Sequence, residues 1–314
     1  MAKSVLNAPH FQNEEAAFAY VEAKLWPSGP VCPHCGNCDQ KRIRKMQGKT
    51  TRMGLYKCNE CRKPFTVRMG TIFESSHLPL HLWLQVIHLM CASKKGISTR
   101  QIQRMLQCSM KTAWFLTHRI REAMRSDDLT PFGGGGGYVE ADETFIGRDP
   151  GIEPGKGGFK HKMKVLSLLD RNSGHRRSFV VDGVTIDDVT PILRENIARE
   201  AKLLTDDAGQ YRHMHLHFAS HQTTPHMKGV YVDRDNPEIH TNSIEGSFSV
   251  FKRGMRGIYQ HCQKHHLHRY LAEFDFRYSN RAALGVEDSE RADLALRGVV
   301  GKRLTYGPVG LQTA

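Results

Sequence analysis

The stretch Tyr138–Gly147, YVEADETFIG, decides how the chain reads, because it is at once strand-like and unusually acidic. Apolar, β-branched and aromatic residues dominate it, and it carries Glu140, Asp142 and Glu143 within four positions. In a strand alternate residues share a face, so Glu140 and Asp142 point one way and Glu143 the other, which makes Glu143 the weaker candidate for a common site. Downstream, MKVLSLLD (163–170) and RSFVVDGV (177–184) read as further strands, separated by the turn-forming RDPGIEPGKGG and RNSGH. IDDVTPILRENIARE (186–200) reads as a helix, AKLLTD (201–206) as a strand ending on Asp206, and residues 243–255 and 265–279 as two closing helices. Three strands followed by a helix and a strand predict an α/β layer structure.

Two divalent ions that activate a hydroxyl and stabilise a leaving 3′ oxygen need carboxylates from separate strands and from a helix. Asp142 lies mid-strand, Asp206 ends a strand, and Glu245 opens a helix in NSIEGSFSVFKRG. On that helix Asn242, Glu245, Ser249 and Lys252 share a face, with Lys252 two turns past Glu245, where its ammonium can hold a phosphate. Any single acidic residue is an ordinary solvated charge. The ordered set of strand, strand and helix with a trailing lysine is what points to a metal-dependent nuclease centre.

Upstream, Cys32-x-x-Cys35 and Cys58-x-x-Cys61 form two knuckles joined by an insert that alternates basic and apolar residues, the pattern of a β-ribbon around one structural zinc ion. His34 and Cys38 stand nearby, but the paired thiolates already fill a tetrahedral shell. Residues 13–25 read as a lead-in helix capped by Asn13. Helical spacing over 78–93, 99–106 and 112–124, broken by GIS and QCS, predicts three helices ending in a helix-turn-helix. Ile97, Ile102 and Leu106 would pack its first helix and Thr112, Phe115 and Ile120 its second, leaving Lys111, Thr112, His118, Arg119 and Arg121 as a basic face for a major groove. Gly133–Gly137 reads as a flexible hinge, since no Lys-Ser/Thr helix opening follows to make it a phosphate loop.

The boundaries that follow are residues 1–75 for the lead-in helix and zinc ribbon, 76–132 for the helix-turn-helix module, 133–282 for the catalytic domain and 283–314 for a tail without readable chemistry. A length of 314 residues accommodates these modules. The formal net charge of +13 favours a polyanionic partner, because each lysine or arginine that neutralises a phosphate releases condensed counterions. No apolar run reaches the roughly 20 residues that span a bilayer, and the cysteine usage fits a reduced compartment, so the expectation is a cytoplasmic protein with no membrane partner. Cys91, Cys108 and Cys262 read as small packing residues. In HMHLHFASHQTTPH, His213, His215 and His217 would share a strand face, more simply a wet side than a metal site.

The stretches VEADETFIG, LLTDDAGQY and IHTNSIEGSFSVFKRGMRGIYQHCQKHHLHRYLAEFDFRYSNR resemble the transposases of the fifteen-ninety-five group of bacterial insertion sequences, the ISXO-two-like transposases, and Cys32–Cys61 resembles their zinc element. The resemblance runs to about Arg281. It implies an RNase H-like core of the DDE type that uses two Mg²⁺ or Mn²⁺ ions, cuts at the terminal inverted repeats of an element and joins the 3′ ends to target DNA, as a homo-oligomer assembled on DNA. It places Asp142 and Asp206 at the first two catalytic positions. Members of the group carry Asn or Glu at the third, and both Asn242 and Glu245 are present; a carboxylate is the stronger metal ligand, which leaves Asn242 to orient metal or DNA. The family's RYNxR ending departs here to Arg277-Tyr278-Ser279-Asn280-Arg281. A nuclease that cuts without joining, or a DNA-binding regulator descended from a transposase, are the alternatives.

Overall fold

The structure is a computed structural model that describes residues 4–153, 158–224, 232 and 236–305. It divides into two compact units, one made of Met1–Ser93, Ile97–Met124 and Glu287–Ala314, the other of Lys94–Gly96 and Arg125–Val286.

The first unit opens with a short helix α1 (Pro9–Gln12) and α2 (Glu14–Leu25). Asn13 divides them: its side chain accepts from Ala16 N at 2.8 Å, and Glu14 and Glu15 place negative charge at the positive end of α2. A three-stranded antiparallel ribbon follows, β1 (Ile43–Lys45), β2 (Tyr56–Cys58) and β3 (Pro64–Phe65), with Ile43 opposite Cys58 and Tyr56 opposite Phe65. Helix α3 (Leu80–Ala92) buries Leu80, Trp83, Leu84, Val86, Ile87, Met90 and Cys91, with His88, along a broad face that neighbours must cover. One neighbour is α9 (Asp288–Arg297), which lies in what the sequence presents as a tail. Arg291 reaches from it to Cys91 O at 2.9 Å, and Asp293 takes Lys24 at 2.5 Å and the Tyr20 hydroxyl.

Helices α4 (Thr99–Leu106) and α5 (Met110–Ala123) form the expected pair, with Ser98 and Ser109 accepting from Gln101 N and Thr112 N at 3.1 Å. The side-chain register of α5 differs from the sequence reading. Ala113, Leu116, Thr117 and Ile120 form its buried stripe, Thr112 is exposed and Phe115 half-buried. His118, Arg119 and Arg121 are also buried and do not face a groove. Arg119 donates to the backbone oxygens of Ile72 and Glu74 at 2.8 Å and of Leu304 at 3.1 Å. A guanidinium can satisfy several turn carbonyls at once, an interior use that no local pattern announces. Arg100, Arg104 and Lys111 are the exposed basic residues of the two helices.

The second unit is a five-stranded sheet in the order β6-β5-β4-β7-β8. Here β4 is Tyr138–Ile146, β5 Met163–Asp170, β6 Arg176–Val181, β7 Lys202–Asp206 and β8 Ser220–Thr224. The β4–β5–β6 meander is antiparallel; β7 runs parallel to β4, and β8 parallel to β7. Helix α6 (Ile186–Asn196) makes the crossover from β6 to β7, starting at a capping box of Thr185 and Asp188. It covers the face of Val139, Ala141, Leu168 and Leu203. On the other face Ile146, Met163 and Val165 pack with α7 (Asn242–Gly254) and α8 (Lys264–Ser279). The α/β expectation stands. Strand β8 was not legible because it lies inside the polar histidine-rich run. His215 sits in a single 3₁₀ turn (Met214–Leu216) before it, with His213 and His217 at the two ends, so the three share no strand face, and the first two rings are 6.5 Å apart; His226 lies outside the described residues.

Gly133–Gly137 is a built turn where the sequence suggests a hinge. Gly137 N donates to Gly133 O at 3.1 Å, Lys202 N donates to Gly137 O at 2.9 Å, and Gly133, Gly135 and Gly136 take φ of +75°, +72° and +80°. A Cβ on Gly133 would lie 2.5 Å from Ala201 Cβ and 2.7 Å from Val139 Cγ2, whereas one on Gly134 would meet nothing within 4 Å. Gly133→Ala should therefore lower stability by about 1–3 kcal/mol in denaturant titrations, and Gly134→Ala should stay within about 0.5 kcal/mol of the parent. Equal effects at both positions would restore the hinge.

Candidate active site

In the ribbon, the two knuckles bring Cys32, Cys35, Cys58 and Cys61 together with all four sulfurs within 4.8 Å of one another. Cys32 and Cys61 stand 3.6 Å apart, Cys35 and Cys58 3.7 Å. Sulfurs at the corners of a tetrahedron with zinc bonds of about 2.3 Å are separated by about 3.8 Å, and a disulfide needs about 2 Å; the four thiols therefore fit a zinc ion. Backbone N–H groups of Cys61 and Glu60 and the Asn37 side chain draw the Cys58 thiol down to about 6 against the effect of burial, while burial and hydrogen bonds with the other three thiols push Cys35 up to about 12. Neither His34, whose Nε2 lies 3.2 Å from Pro64 O, nor the exposed Cys38 belongs to the cluster.

The acidic residues of the second unit meet where two parallel strands part. β7 pairs with β4 only over Tyr138–Glu140, with Glu140 level with Leu204. Asp142 and Asp206 each lie two residues farther on, side by side at the carboxyl end of the pair, the place where open α/β sheets form a crevice. Glu245, in the first turn of α7, accepts from Thr241 Oγ1 at 3.1 Å. Its charge acts on Asp142 along with those of Glu143 and Asp206. Burial comes first and these neighbours second in pushing the Asp142 carboxyl up to about 8, against a 2.7 Å hydrogen bond from Glu143 N. Lys252 is near enough to feel both Asp142 and Glu245, with Arg256 and Lys162 beside it; burial lowers its ammonium pKa and the two carboxylates oppose that.

Glu143 does project from the opposite side of the strand, as alternation requires, where the buried Tyr211 hydroxyl donates to Oε1 at 2.5 Å and Gln210 Nε2 to Oε2 at 3.2 Å. Its charge nevertheless bears on the site from that side. Beyond the last β4–β7 pair β4 keeps only β5 beside it, and Glu143 is the first-ranked charge on Asp142 and is itself pushed up to about 7, by burial and then by Asp206. Glu140, on the Asp142 face, is committed elsewhere, to Arg171 at 2.6 Å and Ile244 N at 2.8 Å. Asn242 is the exposed first residue of α7, its N–H 3.3 Å from His240 Nδ1. An all-oxygen set whose ionised form is disfavoured by burial and mutual repulsion suits a hard divalent cation. The set is open: among the described residues the four cysteines are the one group of three or more His, Cys, Asp or Glu donors drawn within 4.8 Å.

Residues 135–279 match the ISXO2-like transposase domain, and residues 12–64 the transposase zinc-ribbon domain. The chain belongs to the ISXO2-like transposases. It is also similar to a protein described as uncharacterized in transposable element ISH50 of Halobacterium salinarum, 25% identical over 285 residues, covering 85% of this chain and 91% of the relative. In the transposase, the departing RYSNR segment does structural work at the end of α8: Ser279 Oγ accepts from Arg176 N at 2.9 Å, Tyr278 donates to Ser243 O, and Arg281 to Gly174 O at 2.9 Å. The serine thus supplies an acceptor to β6. A surface hollow of about 730 Å³ lined by Asp187, Arg194, His213 and His217 shares no residue with the acidic cluster. No helix among the described residues is long and apolar enough to cross a membrane.

Purified transposase should contain about one zinc per chain, and the Cys32→Ser/Cys58→Ser double variant should lose it; unchanged zinc by metal analysis would exclude these ligands. A second outcome follows from Asp142. Its folded carboxyl is raised to about 8 from an ordinary 3.8, so the folded state binds the extra proton in that window and stability falls as pH rises through it. Asp142→Asn should raise the Tm of metal-free protein at pH 8.5, by about 2–4 °C per kcal/mol regained, with the gain shrinking toward pH 4. A thermal-melting series showing no pH-dependent gain would contradict the crowding of charge at this position.

Proposed function

We propose that the chain is a DNA transposase whose RNase H-like second unit cleaves the terminal inverted repeats of its element and joins the freed 3′ ends to target DNA. The observation that carries this reading is the convergence of Asp142, Asp206 and Glu245 at the open carboxyl end of β4 and β7, with Lys252 beside them, inside a transposase domain. Asp142, Asp206 and Glu245 would hold two Mg²⁺ or Mn²⁺ ions. When bound, such ions supply Lewis acidity at the scissile phosphate and lower the pKa of an attacking hydroxyl. In hydrolysis the oxygen of water bonds to phosphorus and the P–O3′ bond breaks, leaving a 3′-hydroxyl and a 5′-phosphate. In joining, that 3′-hydroxyl attacks a target phosphodiester and releases the target's own 3′-oxygen. Lys252 offers an ammonium to a non-bridging phosphate oxygen, and Tyr211 and Gln210 keep Glu143 fixed beside Asp142.

Glu245 is the better assignment for the third position, because its carboxylate acts on Asp142 and Lys252, whereas Asn242 is exposed at the start of the helix. The exposed Arg44, Lys45, Lys49, Arg52 and Lys57 of the ribbon and Arg100, Arg104 and Lys111 of the helix pair are the surfaces proposed to hold DNA, in a homo-oligomeric assembly on the element ends. The decisive assay is cleavage of a labelled terminal-repeat duplex in Mg²⁺ and in Mn²⁺ beside a gel shift. Asp142→Asn, Asp206→Asn and Glu245→Gln should bind normally and cleave at least about 100-fold more slowly, while Asn242→Ala retains activity. Appreciable cleavage by either aspartate variant would remove the DDE mechanism. Cleavage by Glu245→Gln with a dead Asn242→Ala would move the third role, and cleavage without joining would make the protein a nuclease.

A further inference from the structure

Glu140 is completely buried two residues before Asp142 on the same strand. An ion taken out of water is expensive, and a buried pair is often no more stabilising than apolar residues of similar volume, so a carboxylate here calls for an explanation other than stability. Its two oxygens are divided between two elements. Oε1 accepts from Arg171 Nε at 2.6 Å, and Oε2 accepts from the backbone N–H of Ile244 at 2.8 Å. Ile244 is the third residue of α7, one of the opening N–H groups that a helix cannot satisfy internally, and the next residue is Glu245.

Arg171, in the turn between β5 and β6, spends the rest of its guanidinium on the segment leading into the same helix. It donates to Glu238 O and, at 2.8 Å, to His240 O, and it lies 2.7 Å from His240 Nδ1. Its own backbone N–H donates to Tyr138 O at 3.0 Å, which returns the connection to β4. One buried pair therefore joins the strand that carries Asp142, the turn after β5, the loop before α7 and the first turn of α7.

We propose that Glu140, braced by Arg171, is a positioning residue that fixes the spacing between Asp142 and Glu245 and so the geometry in which they take divalent metal. This rests on the assignment of Asp142 and Glu245 as metal ligands. Glu140 touches neither metal nor DNA; it acts by holding the start of α7 against β4. Partners of this supporting kind, when removed, weaken metal affinity or activity about 10–100-fold.

The test compares wild type, Glu140→Gln, Arg171→Lys, the double variant Glu140→Leu/Arg171→Met and Asp142→Asn. Free Mn²⁺ is followed by electron paramagnetic resonance during titration of the DNA-free protein, the Mg²⁺ concentration for half-maximal cleavage is determined on the labelled duplex, and melting temperature is recorded alongside. Glu140→Gln and Arg171→Lys should each weaken Mn²⁺ binding and raise the Mg²⁺ requirement by about tenfold or more, with Tm within a few degrees of wild type and cleavage partly recovered at saturating Mn²⁺. The apolar pair replaces both charges and should stay folded with the same metal defect, which separates positioning from folding even where a single variant is unstable. Metal affinity within twofold of wild type in the folded variants, or activity lost only in proportion to unfolded protein, would overturn the proposal. Wild-type Mn²⁺ binding and cleavage by Asp142→Asn would instead remove the ligand assignment, and the role of Glu140 with it.

Discussion

Like charges gathered at the parting of β4 from β7 set the terms for the rest of the second unit. Pairing between these parallel strands stops at Glu140 and Leu204, and beyond it Asp142, Glu143 and Asp206 crowd into partly buried space with Glu245 facing them. Repulsion between carboxylates in a poorly solvated site works against folding unless each is anchored. The surrounding structure supplies anchors one by one: Tyr211 and Gln210 for Glu143, Ala208 N at 3.1 Å for Asp206, Thr241 for Glu245. The burden of packing falls on the neighbours, with β5 buried along its whole length and apolar clusters on both faces of the sheet. A rigid frame around an electrostatically strained centre is what the proposed metal site would need to be preorganised.

The first unit solves a different problem. Its ribbon has a core of only Cys32, Ile43, Tyr56, Cys58 and Phe65 with Trp26, Cys61 and Met69 alongside, too little apolar surface to hold three short strands alone. Metal ligation replaces the missing core. Elsewhere in the unit, buried arginines make the long-range ties: Arg119 of α5 to the 72–74 turn, and Arg291 of α9 to the end of α3.

How much of this was legible in the sequence depends on the length scale of the signal. The knuckles, the β4 to β7 succession and the closing helices announce themselves through local spacing, and Asp142, Asp206 and Glu245 fall where strand ends and helix starts put them. Three features did not. Arg119 and Arg121 look like groove-facing cations because a helical wheel records charge but not which carbonyls lie nearby. β8 is hidden because an edge strand of Ser, His, Gln and Thr has no apolar alternation. Glu143 takes the face that alternation gives it, but a face rule is silent on charge, and its carboxylate still acts on Asp142 from across the strand.

The connection between α3 and α9 bears on how the chain comes off the ribosome. Cys91 and Arg291 are 200 residues apart in sequence yet bonded in the folded protein. At about 5–20 residues per second, α3 must wait about 10–40 s for its partner to be made. The catalytic segment, an almost unbroken stretch inserted within the first unit, is completed during that interval. The usual order of assembly from the N-terminus is therefore inverted: the acidic sheet can close while α3, already met by α1 and α2, still lacks α9. During that interval the part of α3 that α9 will cover is open to the aggregation that exposed apolar surface invites.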